Sequence, residues 1–149
     1  MIRMMAVYAR NDCIVITASA VTSIGLWLES APCIRLAPTA SDHDLGAAAR
    51  SILARSGQEI PQPDWKVTPP PGERTAERAG FRSWESLVRG ALLVEVERNA
   101  EGVVLQPMRN RGPKSGFEAL GPPIALSGDI PEAREFGARL REALKRSAT

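Results

Sequence analysis

Hydrophobic positions along this chain fall into two kinds of run: short continuous ones, and longer ones spaced every three or four residues. Met4–Ala9 and Cys13–Thr17 are continuous and flank Asn11-Asp12, a turn pair, so both are predicted strands; β-branched residues dominate the second. Ala18–Ile24 is small and polar and is predicted as a loop, Gly25–Leu28 as a short extended piece, and Cys33–Leu36, after Pro32, as another strand. The period changes beyond Pro38. Leu45, Ala48, Ala49, Ile52 and Leu53 share one helical face, Ser41 is the expected N-cap, Asp42 and Asp44 suit the first-turn dipole, and Gly57 closes the helix.

Gln58–Gly72 breaks the pattern. Pro61, Pro63, Pro69, Pro70 and Pro71 supply neither ladder donors nor a helix interior, so the segment is expected to be an extended surface connector with Trp65 tucked in. Arg74–Ala79 is read as a helical turn, and Ser83 as the cap of a short helix, Trp84–Arg89. Ala91–Arg98 is a strand that turns amphipathic, Asn99–Gly102 a hairpin turn, and Val103–Pro107 its partner strand. Met108–Gly116, broken by Gly112-Pro113, is predicted as a loop, and Ile124–Leu126 as a short strand. A final helix is expected after Pro131, with Asp129 as its cap and Ala133, Phe136, Gly137, Leu140, Ala143 and Leu144 as its apolar face.

The two ends of the chain echo one another. Gly25-Leu26-Trp27 sets beside Gly116-Phe117-Glu118, Pro32–Leu36 beside Pro122–Leu126, Leu45-Gly46-Ala47 beside Phe136-Gly137-Ala138, and Arg55-Ser56 beside Arg146-Ser147. Each half then reads strand, loop, short strand, helix. Glycine inside a helix costs roughly 1 kcal/mol against alanine. Two at matched places imply close approach of helix to sheet or of helix to helix. The expected fold is α/β in the broad sense (α+β): a central, mainly antiparallel sheet with two long helices and two pseudo-repeated halves. The expected organisation is a single domain over residues 1–149, with half-repeats at about 5–57 and 91–149 and a proline-rich connector at 58–73.

Composition narrows the function classes. The chain has 149 residues, 44% apolar and 24% charged, which suits a globular protein that folds without metal or disulfide. Its 19 basic and 17 acidic side chains leave a net charge of +2, and no segment is polarised, unlike a nucleic-acid binder. Cys13 and Cys33 sit in apolar runs and are read as buried free thiols. No targeting segment or membrane span stands out, so the expected compartment is the cytoplasm. Oligomeric state leaves no mark on the pattern.

Catalytic chemistry is hard to assemble. His43 is the single histidine and lies between Asp42 and Asp44 in a solvated first helical turn, too local a cluster to enclose a metal. Glu95 and Glu97 share one face of a strand, as expected of a solvent face. Gly112–Gly116 lacks the spacing of a phosphate loop. Neither catalytic residues nor a cofactor or metal site is therefore expected.

The runs Cys13–Thr17, Arg35–Pro38, Ala40-Ser41-Asp42, Leu45–Ala48, Val103–Pro107, Ile124–Leu126 and Glu132–Leu140 together resemble immunity proteins of bacterial contact-dependent growth inhibition systems, in a branch long described only as a domain of unknown function. The likeness spans most of the chain outside the connector, which is shorter and richer in proline than the resemblance leads one to expect. It implies a cytoplasmic protein that binds the C-terminal toxin domain delivered by a neighbouring cell, commonly a nuclease, and blocks it sterically. The resemblance assigns no contact residues. General interface chemistry points to aromatic and charged residues on the two repeat-equivalent loops: Trp27, Glu29, Arg109, Arg111 and Lys114. The alternative is a small enzyme or ligand-binding domain with a pocket between the halves.

Overall fold

A computed structural model describes residues 1–149. The chain begins as an antiparallel meander, β1 (Arg3–Ala9), β2 (Ile14–Thr22) and β3 (Trp27–Leu36), followed by α1 (Asp42–Ala54). A short strand β4 (Glu59–Ile60) and two short helices, α2 (Pro71–Arg78) and α3 (Trp84–Val88), occupy the middle. A second set follows: β5 (Leu92–Asn99), β6 (Gly102–Asn110), β7 (Phe117–Ala119), β8 (Ile124–Ser127) and α4 (Ala133–Arg146).

All eight strands join one sheet in the order β3-β2-β1-β5-β6-β7, with β8 also on β6 and β4 at the end of β2. Every pairing is antiparallel except β4 with β2. The fold is thus the expected mixed class with a mainly antiparallel sheet. Its centre is the β1–β5 pair, in register at Val7 and Val94. Alternation along the strands divides the core. Val7, Ile14, Ile16, Val94, Val96 and Leu105 pack with α1 and α4. Tyr8, Val15, Leu93 and Met108 point the other way and pack with α2 and α3.

The long helices meet through their glycines. A Cβ on Gly46 would collide with the Ala133 carbonyl and lie 2.8 Å from the Gly137 nitrogen. A Cβ on Gly137 would collide with the Asp42 carbonyl and lie 2.9 Å from the Asp42 Cα. Each glycine therefore admits the backbone one turn ahead of the other. The arginine one turn after each glycine completes the reciprocity. Arg50 donates to the carbonyls of Ile130 and Pro131, and Arg141 to those at Ala40 and the Asp42 side chain. Of the two close approaches the repeat allowed, helix against helix is the one found.

Several local expectations are corrected. The predicted Ala18–Ile24 loop is strand as far as Thr22, so each half carries strand where a loop was expected. Ala18 and Ala20 are fully buried, and their small size reflects packing against neighbours rather than turn chemistry. The extended piece at Gly25–Leu28 and the strand at Cys33–Leu36 merge into β3. The Met108–Gly116 loop is strand as far as Asn110, held by the Asn110 N–H donating to the Ala148 carbonyl at 2.7 Å, a contact no local pattern shows. The cap of α4 is Glu132, not Asp129: its carboxylate accepts from the N–H groups of Glu135 and Arg134, which holds its pKa below the ordinary value. Trp65 is 45% exposed rather than tucked in. The C-cap of α1 is Arg55 rather than Gly57, which lies three residues beyond Ala54 at φ +78°, where only glycine is unstrained.

Candidate functional site

The short-helix face is assembled by arginines that end helices. Arg10 donates to the carbonyls of Ser86, Leu87 and Arg89, closing α3, and Arg35 donates to the Ala79 carbonyl at 2.7 Å, closing α2. Both guanidinium groups lie over the Phe81 ring, at 5.0 and 4.8 Å. Cations at helix C-termini complement the dipole, and here they fasten α2 and α3 to the sheet. Asn110 adds a third tie. Its buried amide donates to the carbonyls of Val88 and Ala91.

Between these helices and β3 lies a groove of about 420 Å³, lined by Trp27, Leu28, Glu29, Pro70, Pro71, Gly72, Glu73 and Trp84. Pro70 and Pro71 start α2, where a missing N–H is harmless. Ser83 caps α3 and places Trp84 at its first position. Gly72 lets the Trp84 ring approach, since a Cβ there would sit 2.6 Å from it. Trp84 meets Tyr8 edge-on at 5.9 Å. The Tyr8 hydroxyl donates to Glu29, and Thr75 donates to the other carboxylate oxygen at 2.8 Å.

Burial raises the Glu29 pKa even against those two donors, and Glu95 nearby adds to the rise while Arg78 opposes it. Burial, then the Glu29 charge, raises the Tyr8 pKa in turn. The Tyr8–Glu29–Thr75 chain is therefore an internal strut linking β1, β3 and α2, whose carboxylate also faces the groove.

A second cavity, of about 510 Å³, continues past Glu73 and Trp84 and is lined on its far side by Glu85, Arg89, Arg111, Gly112, Pro113 and Lys114. Four of the five residues singled out from sequence thus line two adjoining hollows: Trp27 and Glu29 the first, Arg111 and Lys114 the second. They are not equivalent in kind. Glu29 is half-buried and hydrogen-bonded, Arg111 is paired with Glu118 at 2.9 Å, and Lys114 is exposed. Arg109 stands apart. It alternates to the side of β6 opposite Met108, beside Ala148.

The two repeat-equivalent loops, between β2 and β3 and between β6 and β7, lie at opposite edges of the sheet, and the α2–α3 layer lies between them. Trp84, Glu73, Tyr8 and Thr75 escaped the sequence analysis as site residues. Their only signals were the Ser83 cap and the Pro-Pro-Gly run. His43 is exposed, 3.5 Å from Asp44, and lines neither hollow.

The family profile described as CDI immunity protein matches residues 3–147. The chain belongs to the CDI immunity protein family. No curated protein matches it in sequence. Among solved structures, a Neisseria meningitidis protein described as of unknown function aligns with a TM-score of 0.75 at 15% identity, covering 99% of this chain and 96% of that one. A chain of a CdiA-CT/CdiI toxin and immunity complex from Yersinia pseudotuberculosis aligns with a TM-score of 0.75 at 17% identity, covering 99% and 98%. Both likenesses are of fold. For a CDI immunity protein, two adjoining hollows with aromatic and charged walls are surface features that suit binding. No helix of the chain is long and apolar enough to cross a membrane.

Proposed function

We propose that the chain is the immunity protein of a contact-dependent growth inhibition system, which binds the cognate toxin's C-terminal domain in the cytoplasm and neutralises it by steric blocking. The family match across residues 3–147 carries this reading. The fold shared with a chain of a toxin and immunity complex supports it. Binding, not catalysis, is the activity, and the toxin expected is a nuclease. Trp27, Glu29, Arg111 and Lys114 are proposed contacts. Arg109, on the other side of β6, is proposed as a peripheral one.

The test is direct. A cognate toxin C-terminal domain is expressed with and without the chain. Co-purification as a stable complex, and stoichiometric loss of the toxin's cleavage of nucleic acid, are the expected results. Absence of binding at micromolar concentration overturns the reading.

A further inference from the structure

We propose that the groove between β3 and the α2–α3 pair is a receptor for one cationic side chain of the toxin domain, an arginine by preference. This deepens the toxin-binding reading and rests on it for the identity of the partner. The groove has the composition of a cation site. Trp27 and Trp84 supply aromatic walls, Glu29 and Glu73 supply carboxylates, and none of its eight lining residues is basic. An indole face attracts a guanidinium through its quadrupole, and a carboxylate accepts its N–H groups in a planar fork, so arginine satisfies both wall types at once.

Two of the chain's cations on this face are committed elsewhere, and Arg89, Arg111 and Lys114 line the adjoining hollow rather than this groove. Arg10 and Arg35 cap α3 and α2 and stack on Phe81. Arg78 acts on Glu29 from outside the lining and does not offset burial and the Glu95 charge. The walls are also preset. Trp84 is held between Gly72 and Tyr8, and Glu29 is held by Tyr8 and Thr75, so little ordering is needed when a ligand enters. Arginine and tryptophan anchors in preformed pockets are the usual carriers of interface affinity.

The proposal is tested in two arms. In the first, the free ¹⁵N-labelled protein is titrated with N-acetyl-arginine amide, and the three tryptophan indole N–H resonances are followed by NMR. The Trp27 and Trp84 signals are expected to shift, the exposed Trp65 signal to stay, and the uncharged citrulline analogue to do nothing. No shift at millimolar probe, or equal shifts with citrulline, overturns the proposal.

In the second arm, toxin-domain affinity is measured by calorimetry for the wild type, Trp27→Ala, Glu73→Gln and the control Trp65→Ala. Glu73 is exposed, and glutamine keeps an acceptor for the Trp84 backbone N–H, so this variant folds as the wild type does. Losses of about tenfold or more are expected for Trp27→Ala and Glu73→Gln, with the control unchanged. Wild-type affinity in both variants overturns the groove while leaving the immunity reading intact. A wild type that binds no toxin overturns the immunity reading, and the arginine titration then decides the groove by itself.

Discussion

The two faces of the sheet are covered in different ways. On one, α1 and α4, of 13 and 14 residues, cross with backbone against backbone at Gly46 and Gly137 and seal the larger core. On the other, α2 and α3, of 8 and 5 residues, cover only part of the sheet. They leave the groove at Trp27 and Glu29 and a strip of half-open strand surface bearing Met4, Glu95, Glu97, Val104 and Gln106. The sealed face carries a smaller hollow, of about 220 Å³, beside Arg141 and Leu144 of α4. The incomplete face exposes side chains that the closed one fixes in place. The larger core lies on one side of the sheet, and the proposed recognition groove on the other.

Breaking the sealed face is expected to have the largest effect. Phe136 is fully buried between α4 and the sheet, and Phe136→Ala is expected to cost about 3–5 kcal/mol in urea unfolding. Gly137→Ala tests the crossing itself. In an open helix alanine would add about 1 kcal/mol of stability. Here its Cβ meets the Asp42 backbone, so a loss of about 3 kcal/mol is expected. A more stable variant would mean the helices are not in contact there. On the incomplete face the ties are polar. Asn110→Ala leaves the buried Ala91 carbonyl without its donor and takes one of two from the Val88 carbonyl, which keeps the Ala91 N–H, and a loss of about 2 kcal/mol is expected.

Glu29→Gln should give the smallest effect, and its sign depends on pH. The folded-state pKa of Glu29 lies above the ordinary 4.5, so the folded chain holds that proton more tightly than the unfolded chain. Stability from this group is greatest on the acid side and is lost as pH rises from 4.5 through the raised value. Glutamine removes that loss. The unfolding free energy of Glu29→Gln relative to wild type should therefore climb with pH across this window. Thermal melts of both proteins over a pH series check it, and a difference that stays flat would mean the carboxyl ionises freely.

Legibility followed the same division. The sealed face was largely open to sequence analysis, because it rests on long periodic runs. The face of α1 through Leu45, Ala49, Ile52 and Leu53 and that of α4 through Phe136, Leu140 and Leu144 were both legible, and so was the significance of the matched glycines. The site was legible only in part. Trp27 and Glu29 were singled out as loop residues, yet both lie in β3, and Glu29 was expected on the surface rather than wedged between Tyr8 and Thr75. Arg109 was grouped with Arg111 and Lys114 because they are neighbours in the chain. Strand alternation sends it to the other side.

By itself the sequence determined the main periodicities: the two long helices, the apolar centres of the principal strands, and that two glycines occupy matching turns of two helices. These are local properties, settled by neighbours within a few residues. Only the tertiary structure decided that those glycines touch, that small residues at Ala18 and Ala20 continue a strand, and that Trp27, Glu29, Glu73 and Trp84 line one groove. The reason is distance along the chain. Glu29 takes its hydrogen bonds from residues 21 and 46 positions away, and no pattern of apolar and polar residues records a contact that depends on how separate elements come to rest against one another.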